Sequence, residues 1–146
     1  MKSTNISIQP ILIACLSFFG FSCQQKQARS FACAGFQDTI LHKFVYKTTD
    51  VSPKPIGGNE AVSNVINKYF KYPEGDYQGK VLVAFVIETN GKIDGKRIIY
   101  DPSGNDRLFS KQLLTILDKV KWQPGLCNGE KVPCLYIFPM NVDLVE

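Results

Sequence analysis

The chain has 146 residues, with 17 Lys+Arg against 13 Asp+Glu and a formal net charge of +4. At 45% hydrophobic and 21% charged it has the composition of one ordinary globular domain. No run of five like charges marks a nucleic-acid surface, and five cysteines are too few for a disulfide-built miniprotein.

Lys2 is the only charge in the first 25 residues, and it precedes the eleven-residue apolar stretch Ile11–Phe21. A membrane-spanning helix needs roughly 20 apolar residues, so the stretch is too short to cross a bilayer. A basic start, a short apolar segment and a small residue before Cys23 predict an export signal over residues 1–22. Ser22-Cys23 resembles the end of a bacterial lipoprotein signal, which implies a lipid on Cys23 and a membrane-anchored, periplasm-facing protein. Simple secretion to the periplasm is the alternative. Residues 23–38 are largely polar and without period, and read as a flexible tether; fifteen such residues span about 20 Å as a coil.

The domain is expected over residues 39–146. Thr39–Lys47 is rich in β-formers and predicts a first strand. The breaker cluster Pro53-Lys-Pro-Ile-Gly-Gly58 follows, and Asn59 is placed to cap a helix. Val62, Val65, Ile66 and Tyr69 recur at spacings of three and four, one face of that helix, which Tyr72-Pro73 must end. Lys80–Ile87 is almost continuously apolar and predicts a central strand. Asn90-Gly91 is a hairpin turn, and Lys92–Tyr100 is its returning strand. Leu108, Phe109, Leu113, Ile116, Leu117 and Val120 mark a second helix, with Pro124 and Gly125 placed to stop it and Trp122 to anchor its end in the core. From Val132 to Leu144 every second residue is apolar, while Pro133 and Pro139 share the other phase. Prolines in a strand belong at an edge, so this strand, or half of it, is expected at a sheet edge. The sum is an α+β domain with two helices packed on one face of a small antiparallel sheet.

After loss of the signal and use of Cys23, the cysteines left are Cys33, Cys127 and Cys134. Cys127 and Cys134 are close enough in sequence to bridge, although a tight turn at Asn128-Gly129 would set Cys127 opposite Glu130; buried free thiols are the other reading. No cysteine pair has metal-ligand spacing and there is a single histidine, so no metal is expected. His42 has no acidic neighbour in sequence, and Asp94, Asp101 and Asp106 cluster at turns where they cap helices and finish strands. Gly57-Gly58 precedes a helix without the Lys-Ser/Thr of a phosphate loop. No enzyme and no cofactor are expected.

Six pieces in order carry a family resemblance. They are Pro53–Gly58 with Pro55, Gly57 and Gly58; Tyr72-Pro73; Gly79–Ile87 with Val81, followed by Gly91; Trp122-Gln-Pro124-Gly125; Asn128-Gly129 with Val132; and Pro139–Leu144. Over residues 45–144 the chain resembles the TonB C-terminal domain. The resemblance implies two helices against a three- or four-stranded antiparallel sheet. It also implies a binding mode in which a segment of a TonB-dependent outer-membrane receptor, or another envelope protein, adds as a strand to the domain's edge in support of transmembrane transport. Val132, Cys134, Leu135, Tyr136, Ile137 and Phe138 are the candidate edge, which would equally serve homodimer pairing. Family transducers carry an uncleaved inner-membrane helix and a long Pro-rich spacer, whereas here no proline stands between Pro10 and Pro53. Three readings are therefore open: an anchored binding module, which the residues favour; a complete energy transducer with a short uncleaved anchor; and a small periplasmic enzyme.

Overall fold

The computed structural model describes residues 33–144. Residues 1–32, with the expected signal, Cys23 and most of the expected tether, lie outside the described residues.

Nine strands and two longer helices follow one another among the described residues. They are β1 (Ala34–Asp38), β2 (Lys43–Thr48), β3 (Lys54–Pro55), α1 (Gly58–Tyr69), β4 (Tyr77–Ile87), β5 (Ile93–Tyr100), α2 (Leu108–Leu117), β6 (Trp122–Gln123), β7 (Gly125–Cys127), β8 (Glu130–Val132) and β9 (Cys134–Leu144). The main sheet has five strands in the order β1-β2-β9-β4-β5, and β3-β6 and β7-β8 form two small ribbons. The class is α+β, as the sequence predicts, on a larger sheet.

β4 and β9 form the spine, paired antiparallel without a break from Tyr77↔Leu144 to Ile87↔Cys134. Their alternation puts Val81, Val83, Phe85 and Ile87 of β4, and Tyr136, Phe138, Met140 and Val142 of β9, on the face that meets the helices. α2 contributes Phe109, Leu113, Ile116 and Leu117 to this core, whereas α1 buries only Val62 fully. Each large side chain taken wholly from water there contributes about 1.5–3 kcal/mol before entropy. Trp122 lies where the helix layer meets the sheet, its ring centroid 5.3 Å from that of Phe85 and 5.0 Å from that of Tyr136. Its indole N–H donates to Leu117 O at 3.4 Å, so it is the core anchor expected.

Other expectations need correction. β1 occupies Ala34–Asp38, inside the segment read as tether, and the expected first strand is shortened to Lys43–Thr48 because Thr39–His42 form the turn of a hairpin. α1 is not capped by Asn59; Gly57 takes the N-cap position at φ +86°, in the left-handed region open to glycine. α2 stops at Leu117, before Trp122-Gln-Pro-Gly125; Trp122 and Gln123 pair instead with Pro55 and Lys54. Gly125 ends no helix. A Cβ there would lie 2.4 Å from Cys134 Sγ, so the glycine permits close packing of β7 on the start of β9.

The β1-β2 hairpin reaches over part of the face of the sheet away from the helices, where Asp38 meets Arg97 of β5. Ile99 and Ile137 on that face stay exposed. In β5, Gly95 and Lys96 make a bulge opposite Phe85 that brings Arg97 beside Ala84 on that face. Asp38, fully buried at the end of β1, accepts from Arg97 Nη2 at 2.7 Å and from the N–H groups of Ile40 and Leu41 at 2.9 and 3.0 Å. These bonds, the Leu41 N–H foremost, hold its carboxyl below the usual range despite burial. Lys43 pairs with Glu88 beside it.

A candidate strand-addition edge

β2 runs parallel to β9 but pairs with it at one position only, Tyr46↔Cys134. The chain then turns through Thr49 and Asp50 so that Val51 pairs with Leu126 instead. Beyond Cys134, no strand among the described residues covers the side of β9 turned away from β4. The direction of its backbone groups follows from two prolines. Pro133 O accepts from Tyr46 N at 2.9 Å, so the odd-numbered residue directs its carbonyl to the β2 side. Pro139 stands opposite Leu82 within the unbroken β4-β9 register, where a missing N–H is tolerated if it points away from that ladder. Ile137, Asn141 and Asp143 share this phase, and their N–H and C=O groups face the open side, whereas Leu135 N–H is turned to Tyr46 in the parallel bridge.

Of the six residues proposed for the edge, Val132 and Cys134 do not lie on it. Val132 belongs to β8, where it pairs with Gly125, and Cys134 is flanked by Ile87 and Tyr46. Both are buried because the β7-β8 ribbon packs on the start of β9. Leu135, Tyr136, Ile137 and Phe138 do lie along the open stretch, which continues to Leu144. Ile137, on the outer face, is 53% exposed.

Other sheet edges are blunted. β5 is bulged and carries Asp94, Lys96 and Arg97, and β1 is five residues long with an irregularity at Ala34/Gly35. Charges, bulges and shortness discourage pairing. The open stretch of β9 has no bulge, and its only charge is Asp143.

The disulfide expectation is also corrected. Cys127 bonds to Cys33, and Cys134 is a buried free thiol. The Asn128-Gly129 turn does set Cys127 opposite Glu130, and Cys134 packs two residues away on Gly125, so the chain entering at Cys33 meets Cys127 first. Burial pushes the Cys134 thiol up, making it a poor nucleophile at neutral pH. Cys33, Cys127 and Asp50 place donor atoms within 4.8 Å of one another, but the disulfide leaves neither sulfur as a thiolate ligand.

The remaining polar candidates serve the backbone. Asp101 accepts from Ser103 and from Ser110 N, and Ser103 Oγ accepts from Leu108 N, so this pair caps α2 from outside the helix. Burial alone would raise the Asp101 pKa, but the bonds from Ser103 and Ser110 outweigh it and leave the group lowered. Ser103 is missed by sequence reasoning because it stands five residues before the N–H it caps. Asp94 accepts from Gly95 N, and His42 sits exposed in the hairpin turn at φ +52°, with no acidic hydrogen-bond partner among the described residues. The family-motif residues Tyr72, Pro73, Gly79 and Gly129 are at the surface, at turns or at strand starts; Gly91 closes the β4-β5 turn at φ +79°, where a Cβ would lie 2.4 Å from Trp122 O. Among the described residues no helix is long and apolar enough to cross a membrane.

No curated protein sequence matches the chain. A solved structure, the solution NMR structure of the Pseudomonas aeruginosa TonB C-terminal domain, is 16% identical, with a TM-score of 0.36 over 79% of this chain and 99% of that one. The family model described as Gram-negative bacterial TonB protein C-terminal matches residues 68–144, more than half of the sequence, and the chain belongs to that family.

Proposed function

We propose that this protein is a cell-envelope binding module that takes up an extended segment of a TonB-dependent receptor, or of another envelope protein, as an added strand along Leu135–Leu144. The observation that carries this reading is the uncovered side of β9, a ten-residue stretch free of bulges in a sheet whose other edges are blunted. Main-chain groups there offer donors and acceptors to any extended chain, and neighbouring side chains set preference. Tyr136, Phe138 and Met140 favour apolar residues on the helix side of the added strand. The proposal includes an export signal over residues 1–22, a lipid on Cys23 and a tether shortened to the residues before Cys33. It assigns no catalytic step, because the acidic and histidine candidates hold turns and helix ends.

Cysteine cross-linking tests the reading. A receptor-derived peptide carrying one cysteine should form a mixed disulfide with an Asn141→Cys variant and not with Lys96→Cys on β5. Equal reaction at both positions, or none at Asn141→Cys, contradicts strand addition at β9.

A further inference from the structure

The outward side of the helix layer gathers lysines that no acid answers. Lys68, Lys71, Lys111 and Lys119 are all exposed and form no ion pair among the described residues. Asp118, next to Lys119, is already paired with Lys96 of β5. The ammonium groups of Lys68 and Lys119 lie 5.2 and 4.9 Å from the centroid of the Tyr69 ring, so the end of α1 and the chain just past α2 meet over one aromatic. The two cations are thus no more than about 10 Å apart, and an anion between them relieves their repulsion.

Tyr69 also shares a shallow hollow of about 420 Å³ with Lys111, Gln112, Thr115, Ile116 and Lys119, and no described carboxylate lines it. The Gln112 amide accepts from Lys71 N at 3.1 Å and donates to Lys71 O at 3.0 Å, which ties the chain after α1 to α2 and sets Lys71 beside the hollow. Tyr69 is 44% exposed, and Tyr72, one residue beyond Lys71, is 60% exposed. Lysines around exposed tyrosine rings suit the headgroup region of a bilayer, where phosphates take the ammonium groups and amphipathic rings sit at the interface.

We propose, resting on the anchored-module reading above, that this side of the helix layer lies against a bilayer of anionic lipids, with headgroup phosphates over Tyr69 between Lys68, Lys111 and Lys119. The stretch from Cys23 to Cys33 favours the same partner, since it carries Lys26 and Arg29 and no acid. Its ten residues reach at most about 35 Å, more than the roughly 20 Å thickness of a sheet with one helix layer, so an anchor at Cys23 lets the helix side reach the bilayer. The helices cover one face of the sheet and the open side of β9 lies in its plane. Docking therefore lays the sheet along the membrane and leaves the edge free to pair.

The test uses the full chain with its disulfide intact, mixed with vesicles of phosphatidylcholine alone or of phosphatidylcholine and phosphatidylglycerol at three to one. An environment-sensitive dye on Thr115→Cys reports the helix layer, and one on Ile99→Cys the opposite face of the sheet. The Thr115→Cys dye should shift to the blue on the anionic vesicles only and lose the shift as salt is raised, while the Ile99→Cys dye does not respond. Lys68→Gln with Lys119→Gln should lower the docked-to-free ratio about fivefold per charge removed. Lys47→Gln with Lys131→Gln removes the same charge elsewhere and should leave the ratio unchanged. A chain that floats with both vesicles while the Thr115→Cys dye reads them alike overturns docking and leaves the anchor standing. One that stays off phosphatidylcholine yet docks on the anionic vesicles overturns the anchor and leaves docking standing, and association with neither overturns both. Equal shifts at both dyes, or capture of polyglutamate with no response to phosphatidylglycerol, overturn the lipid-facing assignment.

Discussion

Asp38 and Arg97, 59 residues apart in sequence, meet at 2.7 Å behind the sheet and lock the β1-β2 hairpin onto β5. The aspartate is wholly buried and the arginine side chain 25% exposed, so removing the acid leaves a partly desolvated guanidinium and two unsatisfied N–H groups. Asp38→Ala should cost about 3 kcal/mol in urea unfolding. Asp38→Asn keeps one acceptor but turns an amide donor toward Arg97, and should be only slightly milder. Because the folded-state pKa of Asp38 is lowered, its contribution is complete above the ordinary value of 3.8 and is lost as pH falls through the folded value. Wild type should therefore lose stability below about pH 4, and Asp38→Asn should lose less over the same range. Asp101, shifted the same way, keeps the variant's slope from vanishing.

The Cys33–Cys127 bond spans 94 residues and pins the chain just before β1 to β7. Closing a loop of that size restrains the unfolded chain, and loss of the bond should cost roughly 3–4 kcal/mol. Reduction, or Cys33→Ala, should lower the urea midpoint, and Cys134→Ala should retain the reductant effect. Peptide mapping should find Cys33 linked to Cys127, with Cys134 alkylated only after unfolding. A Cys127–Cys134 link would refute the assignment.

Gly125 and Cys134 form a contact that forbids a methyl group. Gly125→Ala sets its Cβ 2.4 Å from the thiol and 3.1 Å from Val51 O, and should destabilise by about 1–3 kcal/mol. Adding Cys134→Ala removes the nearer obstacle and should recover part of the loss, so the two changes combine non-additively. Purely additive thermal shifts would show that the contact is not the cause.

What could be read from the sequence was what repeats locally. The apolar run of β4, the alternation of β9 and the spacing of α2 each state their own period, and together they place the core and the class of fold. The β1-β2 hairpin was only half visible. Ala-Gly-Phe-Gln-Asp offers one large apolar residue, and its strand depends on the disulfide and on the Asp38–Arg97 pair, both long-range. The same long-range placement sets Cys134 between β2 and β4, which is why the edge starts at Leu135 and not at Val132. The phase of Pro133 and Pro139 did point to the open side; which strand stood on the other side did not show.

Cys23 supplies a separate prediction about attachment. Cells grown with a labelled fatty acid should incorporate it into the protein, and Cys23→Ala should abolish the label and release the chain in soluble form. Unlabelled wild type whose mature N-terminus is Met1 would favour the uncleaved-anchor reading instead.

Amide hydrogen exchange of β9, with and without a receptor-derived peptide, tests the central claim most directly. Addition of a strand should slow exchange at Ile137, Asn141 and Asp143, whose N–H groups face the open side, and leave the outer edge of β5 unchanged. Unaltered exchange at those three amides in the bound complex, or protection confined to β5, would contradict strand addition at β9.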